Sequence, residues 1–232
     1  MSEPWEYKEE AAEDAYWEQL LEELGPEWAE EHGLAPPEDA IKEFTAERLQ
    51  SYYLAHPNLA GPAYGSLLYA QSLMPSYPEA ALVFAVTATE LAIKTVLLKP
   101  IVFGLVHTEA LASFITDLTT QHTGMERFQT ILTEILARFG GVDLKVFKRT
   151  HSEKTLWQEI GEVQKARNAV VHRGETVDDS CAVLGLAVAS AILTGIFPQV
   201  VARLKLHLHD PVVVCGDSHS PFTQLSFEIG NL

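Results

Sequence analysis

The stretch between Pro78 and Pro100 limits what this chain can fold into more than any other. Ala81, Leu82, Phe84, Val86, Leu91, Ile93, Val96 and Leu97 fall almost all the way round a helical projection. A helix without a polar face has to be surrounded by other elements. The spacing therefore predicts a central, buried helix over residues 79–99, opened by Pro78 and stopped by Pro100. Glu90 lies inside it, a charge where the pattern leaves little water for it.

The flanking segments supply the surroundings. Pro36-Pro37, followed by Glu38 and Asp39, starts a helix that carries Ile41, Phe44, Leu49, Tyr52 and Tyr53 to about His56-Pro57. Further helices are expected over residues 66–74, 107–122 and 124–139, with a turn at Gly140-Gly141. Ser152 reads as the N-cap of a helix that reaches His172 and ends at Gly174. Asp178-Asp179-Ser180 caps the next, over about residues 181–206. Residues 212–215 and 222–229, on either side of a turn at Gly216-Asp217-Ser218, suit a small β-hairpin. The fold class is all-α: an acidic helical N-terminal extension over 1–60, a helical bundle over 61–210, and a tail over 211–232 with that hairpin.

Charge is unevenly spread along the chain. Residues 1–50 hold 16 acidic side chains against Lys8, Lys42 and Arg48, while the remainder holds 16 against 13 bases, within a net charge of −16. The whole balance repels nucleic acid, yet the second part alone can present a basic face. At 47% hydrophobic and 21% charged residues, the chain reads as globular and soluble. No run of about 18 consecutive apolar residues occurs, so no membrane span is expected. The acidic start lacks the layout of a secretory signal, and two cysteines, Cys181 and Cys215, fit a reducing compartment. The cytoplasm is the expected address. Cysteines and histidines show no metal-ligand spacing, and neither a phosphate-binding glycine loop nor a nucleophile elbow is present, so no metal or cofactor is expected.

Arg167 occupies a position in the apolar stripe formed by Leu156, Ile160, Val163 and Val170. A guanidinium cannot shed its charge, so a buried one needs a carboxylate partner or an anionic ligand. Asn168 follows it directly, and Arg173-Gly174 closes the helix. His172 shares a face with Asn168 but stands about 140° round an ideal helix from Arg167. One helix does not aim both at one small target, whereas two copies related by a twofold axis do, which points to a homodimer with a shared site. A second arginine–histidine pair, Arg203 and His209, falls at a helix end, where cations complement the dipole, and needs no further reading.

Arg167-Asn168-x-x-x-His172 near the end of a long helix, with another helix after it, resembles the HEPN superfamily. Thr89-Glu90-Leu91-Ala92-Ile93-Lys94 in the apolar helix is similar as well. The resemblance spans roughly residues 66–207 and leaves out the acidic fifth and the tail. It implies a helical bundle that dimerises with two facing motifs. It also implies a metal-independent endoribonuclease of toxin–antitoxin, phage-defence or RNA-processing systems, with Arg167, Asn168 and His172 as its catalytic residues. The superfamily also contains inactive members and binding modules.

The side chains suit that chemistry on their own terms. RNA carries its nucleophile, the 2′-hydroxyl. His172 can exchange protons near neutral pH, and Arg167 can bind a phosphate bidentately as charge builds up on it. Asn168 can orient that phosphate or fix His172. Glu90 has two readings: a partner that positions Arg167 across the core, or an ordinary charge turned to water or to a dimer edge. Lys145, Lys148, Arg149, Lys154 and Lys165, with Phe147 and Trp157 among them, read either as a groove for single-stranded RNA or as a solvated face above core aromatics. The acidic arm, with Trp5, Tyr7, Tyr16, Trp17 and Trp28, either packs on the bundle or docks an antitoxin or other regulatory protein. Two competing functions remain: a non-catalytic module in which the arginine–histidine motif holds a dimer together, and a small-nucleotide binder in which Arg167 grips a phosphate.

Overall fold

A computed structural model describes residues 37–106, 109–121, 141–210 and 212–216, with isolated positions between 133 and 137. Contacts divide the chain into two units, Met1–Thr45 and Ala46–Leu232. The acidic arm with its aromatics and the partner assigned to it lie outside the described residues, as do most of the helix expected over 124–139 and the strand expected over 222–229. Helix α1 (Pro37–Ala55) opens the described chain, and its Leu49 and Tyr53 belong to the main core of the second unit. The division after Thr45 therefore falls earlier than the boundary read near residue 60.

Among its described residues the second unit is mostly helical: α2 (Gly61–Leu73), α3 (Pro78–Leu91), α4 (Lys99–Val106), α5 (Glu109–Gln121), α6 (Leu156–Arg173), α7 (Asp179–Ser190) and α8 (Phe197–Arg203). Helix α3 packs against α2, α6 and α7, and its Leu82, Ala85 and Val86 are fully buried, as its all-round apolar pattern requires. Gly185 lets α7 come close, because a Cβ there would stand 3.1 Å from Leu82 Cδ1 and 3.3 Å from Ala85 Cβ.

Pro100 does not stop the central helix. A π-helical segment, Ala92–Leu98, carries α3 into α4, and a second, Ala191–Ile196, carries α7 past Pro198 into α8. Proline removes one N–H and the bond it would donate. Just before each proline the ladder shifts to π register: Lys99 N–H reaches Lys94 O, and Phe197 N–H reaches Ile192 O. Tyrosine hydroxyls supply donors where the prolines have none. Tyr53 Oη donates to Val96 O at 2.7 Å, four residues before Pro100, and Tyr64 Oη donates to Leu193 O at 3.1 Å, five before Pro198. Burial raises both phenols, Tyr64 up to about 12, so both stay neutral donors.

The resulting helices run 29 residues over Pro78–Val106 and 25 over Asp179–Arg203, long and apolar enough by length and composition to cross a bilayer. Glu90 and Lys94 interrupt the first and Ser190 and Thr194 the second, so neither holds about 18 consecutive apolar residues. In the fold, 61% and 44% of their most apolar windows are buried inside the protein.

Residues 213–215 pair with the segment before them, and the partner expected over 222–229 lies outside the described residues. Strand β1 (His207–Asp210) pairs antiparallel with β2 (Val213–Cys215), with His207 opposite Cys215 and Leu208 opposite Val214. Val214 N–H donates to Pro57 O at 2.9 Å, which ties the hairpin to the α1–α2 loop.

Candidate functional site

The candidate residues sit on α6, and the segment before it is fastened down. Thr155, rather than Ser152, caps the helix: its side chain accepts from Gln158 N–H while the Gln158 side chain accepts from Thr155 N–H. Ser152 Oγ donates instead to Glu159 Oε1 at 2.8 Å. Arg149 grips the same carboxylate through Nε and Nη2, each at 2.7 Å, with the Glu159 side chain only 3% exposed. Burial alone would raise the Glu159 pKa. The hydrogen bonds from Arg149 and Ser152, with the charges of Arg149 and Lys154, outweigh it and hold the carboxyl below its usual value.

This arrangement pairs two of the bases of the expected RNA groove with carboxylates. Arg149 is committed to Glu159, and Lys154 Nζ bonds both oxygens of Glu162 at 2.7 and 2.9 Å. Phe147 and Trp157 pack in or against the core, so of the two readings of this cluster the stacking surface fails. Lys145, Lys148 and Lys165 remain exposed. One feature went unread in the sequence. Lys154, Gln158, Gly161, Glu162 and Lys165 line an open depression of about 370 Å³ on the outer face of α6. Its signal was the recurrence of polar residues around Gly161 at helical spacing, a pattern an ordinary solvated face shares.

The motif occupies the last turns of α6. Arg167 is half-buried, while Asn168 and His172 are exposed. Arg167 Nη1 donates to Asn168 Oδ1 at 3.0 Å, so Asn168 holds the guanidinium rather than His172. Arg167 Nε is buried and has no hydrogen-bond partner among the described residues. Arg167 is in none of the ion pairs found there either.

Glu90 is half-buried and does not pair with Arg167. Val163, Ala166 and Val170 share a cluster with Ala81, Leu82 and Val86, so the motif end of α6 meets the first part of α3. Glu90 lies a turn beyond Val86. Arg173 Nε donates to Glu175 across the helix end, where Gly174 adopts the left-handed conformation (φ 65°) of a C-cap.

A single chain does not bring Arg167 and His172 together. They stand about 140° apart on the helix, one turned partly inward and one out. Cys181, near the start of α7, is a free thiol whose pKa is raised by burial first and then by Asp178 and Glu162, which suits packing rather than reactivity. In comparisons with known proteins, no family model, curated protein or solved structure matches this chain.

Proposed function

We propose that this protein is a metal-independent endoribonuclease of HEPN type, acting at a site shared by two copies of the chain. Arg167 carries this reading. Among the described residues its half-buried guanidinium is in no ion pair, and its Nε is buried without a hydrogen-bond partner. The edge that includes Nε is the one Arg149 uses on Glu159. Its geometry matches two oxygens of a phosphodiester, which would meet a buried Nε only as the second copy closes over it, while Asn168 holds Nη1.

In this reading the RNA 2′-hydroxyl attacks the adjacent phosphorus. The 2′-O–P bond forms and the P–O5′ bond breaks. The imidazole of His172 takes the 2′ proton, and the protonated imidazole of the second copy gives a proton to the departing 5′ oxygen. Arg167 stabilises the charge that builds up on the phosphorane. The products are a 2′,3′-cyclic phosphate and a 5′-hydroxyl. A role as an effector in a toxin or defence system belongs to the same proposal and rests on the resemblance, and the cytoplasmic address proposed with it rests on composition.

The test is cleavage of RNA by the purified chain, with end-group analysis. His172→Ala is expected to lose about 10²–10⁴-fold in rate. A parent that cuts no RNA under any activating condition, or a His172→Ala chain that cuts as fast as the parent, rejects the reading.

A further inference from the structure

We propose that the depression on the outer face of α6 seats one nucleotide of a single-stranded RNA, about three stacked nucleotides away from the phosphate engaged at His172. The proposal rests on the ribonuclease reading above and adds to it a place and a direction for the substrate strand. On an ideal helix Gln158, Lys165 and His172 fall within about 40° of one another, so the depression and the imidazole share one face. Lys165 and His172 stand seven residues apart, about 10 Å along the axis. A stacked strand advances ~3.4 Å per nucleotide, so about three nucleotides span that distance.

The lining has the chemistry of a nucleotide seat. The depression is open and lined by α6 and the residue before its cap, so it offers a shallow seat for one nucleotide of a strand rather than an enclosing pocket. Lys165 makes no ion pair among the described residues and is placed to meet a phosphate. Lys154 is paired with Glu162, but both side chains are about half exposed (57% and 44%), so the pair is weak enough to exchange for a phosphate. Gln158 uses its carbonyl oxygen on Thr155 N–H, which leaves its amide N–H₂ as a donor beside the Glu162 carboxylate. A donor and an acceptor side by side are what a base edge requires. At Gly161 nothing stands within 4 Å of the missing Cβ, so a base or ribose can come down to the helix backbone. Trp157 is buried, so binding here is electrostatic and polar rather than by stacking.

The test uses the full chain and oligonucleotides that are 2′-O-methylated except at a single ribose, so that each is cut at one position. The substrate is lengthened one nucleotide at a time on either side. KM is expected to drop about five- to tenfold when the extension on one side reaches roughly the third nucleotide. Lys165→Ala should abolish that drop while cutting the shortest substrate as the parent does. Gly161→Leu, which fills the depression with a good helix former, should do the same. Length dependence unchanged in both variants, or activity lost equally at every length, overturns the seat. If the parent cuts nothing, fully 2′-O-methylated strands are titrated by anisotropy. Binding whose salt dependence falls by about 0.7 in slope with Lys165→Ala keeps the seat while the ribonuclease reading fails. Absence of binding, or binding indifferent to Lys165, removes the seat.

Discussion

Arg149 and Arg167 both lose water at α6, one at its start and one near its end, but among the described residues only Arg149 has a carboxylate. Removing Arg149 leaves a buried anion, so Arg149→Met should cost roughly 2–3 kcal/mol of stability at neutral pH by chemical denaturation. The folded-state pKa of Glu159 is depressed, so its contribution is complete above the unfolded carboxylate value of about 4.3 and is lost as pH falls through the lower folded value. The gap between parent and variant should therefore be widest at neutral pH and close below about pH 4. Arg167 predicts the opposite sign. Arg167→Met removes an uncompensated buried donor, so the variant should melt no lower than the parent, with about 1 kcal/mol gained, while RNA cleavage is lost. A large destabilisation would mean that Arg167 serves the fold instead of an anion. The sequence marked Arg167 as anomalous because a charge interrupted a stripe. Nothing local marked Glu159, since a carboxylate beside a stripe looks solvated until an arginine ten residues earlier folds onto it.

Periodicity located the helices of the bundle but not how they continue. The expected stop at Pro100 assumed that a lost N–H leaves a carbonyl stranded in the core. Tyr53, 43 residues from Val96, and Tyr64, 129 residues from Leu193, supply the donors. Tyr53→Phe should therefore cost about 1–2 kcal/mol by denaturation. Pro100→Ala returns the N–H, so in that background the same change should cost about 1 kcal/mol less, a coupling measurable by a double-mutant cycle. Additive effects would dissociate the tyrosine from the proline. The caps show a gentler version of the same limit. Asp178 accepts from Cys181 N–H as expected, whereas Thr155 displaced Ser152 because Ser152 was drawn to Glu159.

For two copies sharing one cleft, mixing Arg167→Ala with His172→Ala chains should give more cleavage than His172→Ala alone, because a mixed dimer holds one guanidinium and one imidazole and leaves only the second proton transfer to water. Cleavage by the parent as a monomer in native mass spectrometry would exclude sharing. Local pattern was enough for a mostly helical bundle around the apolar segment opened by Pro78, for an α6 ending at Gly174, and for Arg167 as the residue out of place. These depend on periodicity, capping and the fixed charge of a guanidinium, all of which act within a few turns of chain. Which carboxylate finds which arginine, which aromatic is buried and which hydroxyl replaces a prolyl N–H were decided only when separate segments met. A pairing across space depends on where two backbones come to lie, and the residues at either end carry no mark of it.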